Sequence, residues 1–233
     1  MKAIILAGGK GTRLRPYTTV IPKPLVPVGN KAILEILISR LKASGITDLT
    51  LCVNHMAALI MAYFGDGTKW GVKIEYSQED KFLSTVAPIK LVKNLPKNFL
   101  VMNGDLLTDL DFRDLYNYHL KNHAIITVAT YKRESQINFG VIDIDEKESV
   151  AIGFQEKPVH EVNVSMGVYA FNKKLLSYVP DHKPFGFDDL MHKLLCEKQT
   201  VKVYPFNGYW LDIGRPEDYE KANNYIDMIV ENE

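Results

Sequence analysis

Cysteine is scarce: Cys52 and Cys196 are the only two in the 233-residue chain, and neither has a second Cys or a His at metal-ligand spacing. This excludes a disulfide scaffold and a thiolate metal site, and both thiols are expected to be reduced and mostly buried. Neither sign of charge is in excess, because 28 Lys and Arg offset 28 Asp and Glu. Nothing in that balance favours nucleic acid or an anionic membrane surface as a partner, so any phosphate binding must be local. No apolar run reaches the length of a membrane span, and the opening "MKAIILAGG" is too short and lacks a small-residue cleavage site. A cytoplasmic protein is the expectation. Glycine- or serine-rich linkers, repeats and low-complexity tracts are missing as well, so residues 1–233 are read as one domain with two lobes, 1–110 and 111–233. The six histidines are scattered and receive no chemical role.

What the chain does have is enough apolar material, 46% of residues, to fill a sizeable core. "KAIILA" reads as a strand buried on both faces. "AILEILISRLKASG" places Ile33, Leu37 and Leu41 on one helical stripe and stops at Gly45. "DLTLCVN", "VKIEYS" and "NFLVMNGD" follow as strands, with helices predicted over "HMAALIMAYFG" and "TVAPIKLVKNL". Alternation at this spacing means βαβ units and a mainly parallel sheet. The second half is richer in strands, which predicts an added, mixed part of the sheet, and a last helix is expected to begin at Pro216. The fold class is therefore α/β: a three-layer, Rossmann-like, mixed but mainly parallel sheet flanked by helices.

In such sheets ligands bind beyond the carboxyl ends of strands. Two suggestive stretches fall there: the loop "AGGKGTRLR" after the first strand and "NGD" after Met102. The loop is not a Walker A motif, since Lys10 is followed by Gly11, and it is not a dinucleotide fingerprint, since Leu14 stands where the third glycine belongs. It is either a turn with solvated basic residues or a loop whose glycines let backbone N–H groups approach a phosphate beside Lys10, Arg13 and Arg15. Lys23, fixed between two prolines in "IPKP", adds a preorganised cation suited to a polyphosphate.

The stretch "LAGGKGTRLRPYTTVIPKPLVPVGNKAILE" resembles the signature of the sugar-1-phosphate nucleotidyltransferases. "NGD" at 103–105, "EKP" at 156–158, "GVYAFN" at 167–172 and "GYWLDIGRPEDYEKAN" at 208–223 agree in order, so the resemblance covers nearly the whole chain. It implies a GT-A-like fold and nucleotidyl transfer from an NTP to a sugar 1-phosphate, giving a nucleotide sugar and pyrophosphate. Short mannose-1-phosphate guanylyltransferase-like members are the nearest match, with GTP the favoured nucleotide; glucose-1-phosphate thymidylyltransferases are the alternative. The phosphate nucleophile is largely ionised near neutrality, its second pKa being about 6, so no strong base is needed.

By the resemblance, Leu6, Ala7, Gly8, Gly9, Gly11, Thr12, Gln78, Asn103 and Gly104 would hold the nucleotide, making 1–110 the nucleotide lobe. Arg13 would meet the departing pyrophosphate and Lys23 the phosphates at the reacting centre. Gly140, Glu156, Lys157 and Ser165 would hold the sugar phosphate in the second lobe, and Asp105 and Asp212 would bind Mg²⁺. The resemblance leaves a homo-oligomer open. The sequence departs from the family pattern at 83–88, "LSTVAP", where Ser84 and Ala87 replace glycines, and at Ser165, where asparagine is common. Both changes border the sugar and base. They keep in view a catalytically weak, nucleotide-sugar-binding regulator. A glycosyltransferase reading through "DLD" at 109–111 or "DID" at 143–145 leaves the opening loop without a role; these triplets are expected to be a helix N-cap and a strand end.

Overall fold

The computed structural model describes residues 1–230, and the side chains of 1–224. Its centre is a seven-stranded sheet in the order β12-β8-β11-β6-β1-β4-β5. The first half supplies β1 (Lys2–Leu6), the short pair β2 (Pro27–Val28) and β3 (Lys31–Ala32), α1 (Ile33–Ala43), β4 (Asp48–Val53), α2 (Ala57–Phe64), β5 (Lys73–Gln78), β6 (Asn98–Asn103) and β7 (Leu106–Thr108). The second half supplies α3 (Phe112–Lys121), β8 (Ile126–Gln136), β9 (Gly140–Asp145), β10 (Val150–Glu156), β11 (Val159–Asn172), α4 (Phe187–Cys196), β12 (Val201–Phe206), β13 (Trp210–Asp212) and α5 (Pro216–Val230). Neighbours pair in parallel throughout the sheet except that β11 runs antiparallel to both β6 and β8. The expected mixed, mainly parallel sheet is thus present.

The strands are apolar on both faces because helices cover both. Ala3 and Ile5 point to one side, where Leu34, Leu37, Ile38 and Leu41 of α1 and Phe112 and Leu115 of α3 pack on them. Ile4 points to the other, with Phe99, Val101 and the α4 residues Leu190 and Leu194. Losing one such fully buried leucine to alanine costs about 2–5 kcal/mol. A third cluster joins Leu14, Val28, Ile33 and Ile213 below the glycine loop. The C-terminal helix docks there, its Tyr219 hydroxyl donating to the Pro27 carbonyl at 2.7 Å.

Three local expectations are corrected. Residues 85–95 do not form an α-helix: only a short 3-10 segment, Ala87–Leu91, is present. Its start is tied elsewhere, the Val86 and Ala87 N–H groups both donating to the Phe185 carbonyl, and Pro88 has no N–H to give. The α4 helix in that second half carries no strong sequence signal except Leu190 and Leu194; an Asp189 side chain caps its start by accepting the Gly186 N–H at 2.8 Å. Cys196 is exposed rather than buried, because it lies at the end of α4 off that apolar stripe, while Cys52 is buried.

Candidate active site

The chain leaves β1 for β4 and β5 on one side, then returns to β6 on the other side of β1. The carboxyl ends of β1 and β6 therefore flank the point where strand order reverses, the usual ligand crevice of such sheets. A cavity of about 290 Å³ opens there. Its wall includes Leu6, Ala7, Gly8, Gly9, Gly11, Thr12 and Arg13 from the loop after β1, Lys23, and Asn103, Gly104 and Asp105 after β6.

Local structure explains why the loop needs its glycine at 11. Gly11 has φ +61°, and a Cβ there would meet Thr18 Cγ2 at 3.0 Å and Lys23 Cβ at 3.1 Å. Its carbonyl accepts the Thr18 hydroxyl at 2.7 Å, which pins the loop against the "IPKP" segment. Lys23 begins a 3-10 turn after Pro22 and is almost wholly buried. Its ammonium donates to Asp105 Oδ2.

Asp212 reaches the same place from the far end of the chain. Strand β13 pairs with β7 so that Asp212 stands opposite Leu106, and the Ile213 N–H donates to the Asp105 carbonyl at 3.1 Å. Burial, then the neighbouring Asp105 carboxylate, pushes Asp212 above the usual carboxylate range; Lys23 and Arg13 pull the other way. The Arg13 guanidinium lies against Gly214, 3.5 Å from where a Cβ would stand. Asp105 Oδ1 and Asp212 Oδ1 are both buried with no hydrogen-bond partner. Two buried, unsatisfied carboxylate oxygens facing each other are costly unless a cation joins them. Two carboxylates with open positions suit Mg²⁺, which keeps waters and substrate phosphates as its other ligands. Among the described residues no group of three or more His, Cys, Asp and Glu forms a protein-only metal cage.

The remaining sequence-predicted residues lie outside this wall. Gln78 ends β5 on the exposed side, because side chains alternate along a strand. The next residue, Glu79, takes the inward place: it lines the cavity, is buried, accepts the Leu83 N–H at 2.9 Å on Oε2, and is raised above its usual range by that burial. Sequence reasoning passed over Glu79; the period of two along β5 was the signal that could have found it. Cys52, beside it in the cavity wall, is pushed up to about 12 by burial and then by Glu79, so its thiol stays protonated and inert. Phe82, Ser84, Thr85 and Pro88 of the divergent "LSTVAP" region complete that end.

Gly140, Glu156 and Lys157 sit on and beside the hairpin β9–β10, exposed and off the cavity wall. Ser165 is also exposed, its hydroxyl donating to Tyr169 Oη at 3.2 Å. It marks a break in the register of β11 on β8, two residues before Gly167, where φ is +72° and a Cβ would meet Asn103 Nδ2 at 2.6 Å. That close approach holds Asn103 at the cavity edge. Lys10 and Arg15 are exposed outside the wall. The D-x-D triplets have structural roles: Asp111 caps α3 by accepting the Arg113 and Asp114 N–H groups, Asp109 accepts the Tyr209 N–H, and Asp145 accepts the Lys147 N–H in a turn.

Comparison with known proteins decides the family. The nucleotidyl transferase family model matches residues 2–228. This chain belongs to the nucleotidyl transferase family. Among relatives of this nucleotidyl transferase, the mannose-1-phosphate guanyltransferase of Yarrowia lipolytica is 34% identical over 226 residues, covering 94% of this chain and 62% of the relative. A UTP--glucose-1-phosphate uridylyltransferase of Synechocystis sp. is 33% identical over 242 residues, covering 95% and 62%. The chain thus spans about 62% of the length of these two relatives. Among solved structures, HddC from Yersinia pseudotuberculosis superposes with TM-score 0.75 at 26% identity, covering 97% of this chain and 99% of the other. The same protein complexed with GMP-PN gives TM-score 0.72.

Proposed function

We propose that this nucleotidyl transferase moves a guanylyl group from GTP to a sugar 1-phosphate, with mannose 1-phosphate as first choice, and releases pyrophosphate. The observation that carries the reading is the pair of orphaned carboxylate oxygens on Asp105 and Asp212, set beside Lys23 and Arg13 beneath the glycine loop. Such a cluster balances charge around phosphates and offers neither a nucleophilic side chain nor a redox group.

The chemistry asks little else of the protein. A phosphate oxygen of the sugar phosphate attacks the α-phosphorus; the new P–O bond forms as the bond to the bridging oxygen of the departing pyrophosphate breaks, with no net proton moved. Two anions must approach while a third leaves, so positioning and charge neutralisation supply the acceleration. In this reading Gly8, Gly9 and Gly11 bring backbone N–H groups to the nucleotide, Lys23 faces the phosphates at the reacting centre, and Arg13 holds the departing pyrophosphate. Asp105 and Asp212 would hold Mg²⁺, which when bound neutralises triphosphate charge and orients its oxygens. Lys157 and Glu156, on a separate hairpin, bind the phosphate and hydroxyls of the sugar.

Glu79 supports guanine over the other bases. A carboxylate accepts twice, matching the N1–H and N2–H₂ edge of guanine, whereas Gln78 faces away from the cavity. The name of the Yarrowia relative and the nucleotide analogue seen with HddC point the same way. A uridylyl reading, favoured by the Synechocystis relative, would leave one oxygen of Glu79 facing a carbonyl of uracil. The test is a matrix of five nucleoside triphosphates against a panel of sugar 1-phosphates, read by pyrophosphate release. Release is expected only with both substrates and Mg²⁺, and fastest with GTP. Release of no pyrophosphate under any pairing would make the protein a binding homologue, and release of a nucleoside diphosphate from a nucleotide sugar would make it a glycosyltransferase.

A further inference from the structure

The hairpin β9–β10 has a sequence written for a buried face that this chain does not bury. Along β9, Ile142 and Ile144 alternate with Val141, Asp143 and Asp145. Phe154 stands opposite Ile142 and Ala151 opposite Ile144, with the register break at Ile152 between them. One face is thus Ile142, Ile144 and Phe154, and the other carries Asp143, Asp145 and Gln155. Such alternation marks a half-buried sheet. Yet Ile142, Ile144, Ile152, Phe154 and the adjacent Phe139 are 54%, 59%, 69%, 65% and 76% exposed. Of the twenty large apolar side chains exposed among the described residues, nine lie in the segment 137–162. An isolated two-stranded hairpin is marginal in water, so an open apolar face on one is a place where something docks.

We propose that the occupant is a second copy of this chain, docked hairpin face to hairpin face about a twofold axis. Area supports this choice. With about 150–250 Å² for an aromatic side chain and somewhat less for an aliphatic one, the five side chains expose on the order of 600 Å². That is the upper end of what a monomer leaves open, and with a polar rim it reaches the roughly 800 Å² per partner of a stable interface. A pleated apolar face stacks on its own copy, which is the self-complementary contact that a twofold dimer requires. Charge sets the direction: the hairpin turn carries Asp145, Glu146 and Glu148 against Lys147 alone, so the two turns must lie at opposite ends of the interface. The dimer holds in place the hairpin that presents Gly140, Glu156 and, just beyond it, Lys157.

Sedimentation of the full chain, without substrates, tests the dimer independently of activity. The wild type is expected to be dimeric at tens of micromolar, and Ile142→Asp/Phe154→Asp monomeric with an unchanged far-UV spectrum and melting transition. Because that double variant could disturb the hairpin itself, single cysteines give a second reading in a Cys196→Ser background. Mild oxidation should link two copies through Ile142→Cys on the apolar face and not through Asp143→Cys on the polar face. A monomeric wild type overturns the proposal and assigns the face to a different partner. A double variant that stays dimeric, or equal crosslinking at both cysteine positions, places the dimer contact elsewhere and overturns it too.

Discussion

Replacing Lys23 by methionine tests how charge is balanced in the site. The Lys23 side chain is 11% exposed and its Asp105 partner 20%, and the ammonium donates to one Asp105 oxygen. Methionine keeps the stem and removes the charge, leaving Asp105 and Asp212 together with only Arg13 nearby to offset them. Breaking a fully buried pair costs about 3–5 kcal/mol; this one opens on a cavity, so about 2–3 kcal/mol is expected, a fall in Tm of about 5–10 °C for a chain of this size. Affinity for a divalent ion should move the other way. At an effective dielectric of about 20 and a separation of about 5 Å, a unit positive charge repels a divalent cation by about 6 kcal/mol. Even if relaxation and water cancel most of that, Lys23→Met should bind Mg²⁺ about tenfold tighter. Added Mg²⁺ should therefore raise the Tm of the variant by more than it raises that of the wild type, while turnover falls about 10²–10³-fold because the charge facing the phosphates is gone. Thermal melts with and without Mg²⁺, beside pyrophosphate release, read all three quantities. A variant with wild-type melting and no larger response to Mg²⁺ would refute the charge balance drawn here.

Three further outcomes are expected. Glu79→Gln should lower kcat/KM for GTP about 100-fold relative to UTP, since the amide offers one donor and one acceptor where guanine presents two donors; an unchanged GTP/UTP ratio would remove Glu79 from base selection. Lys157→Ala should raise KM for the sugar phosphate more than for the nucleotide, and equal changes would take it out of that role. His119, buried between Thr127 and Asn98 at 2.9 and 3.3 Å, is pushed down to about 4 by burial. Protonation then favours the unfolded chain, so stability is full above pH of about 6.5 and declines as pH falls toward 4, by about 2 kcal/mol at pH 5. Urea unfolding of wild type and His119→Asn at pH 7 and 5 checks this, and parallel pH dependence in both would contradict it.

Much of the fold was legible because periodicity is a local signal. The stripe of α1 and the apolar runs of β1, β4 and β6 declare their partners' layers without reference to distant residues. The 3-10 segment at Ala87–Leu91 was not legible, since a carbonyl almost a hundred residues away, that of Phe185, competes for its first N–H groups. In the site, the glycine loop, Lys23 and Asp105 could be placed from strand ends alone. Gln78 was preferred to Glu79 on side-chain chemistry, and the side a strand residue faces depends on a register that β4 sets through pairing Val53 with Gln78. The open face of β9–β10 was equally hidden: alternation says that a face is apolar, and only the assembled chain shows that nothing of its own covers it.

The account rests on two carboxylates that are poorly satisfied until a cation joins them, and Asp212→Asn addresses that directly. Asp212 Oδ1 is buried without a partner and its carboxyl is raised by burial and by Asp105. Neutralising it should relieve repulsion in the metal-free protein, so melting without Mg²⁺ should be unchanged or higher. Pyrophosphate release from GTP and sugar 1-phosphate at saturating Mg²⁺ should fall to background in the same preparation. A folded Asp212→Asn protein that releases pyrophosphate at close to the wild-type rate would contradict the account.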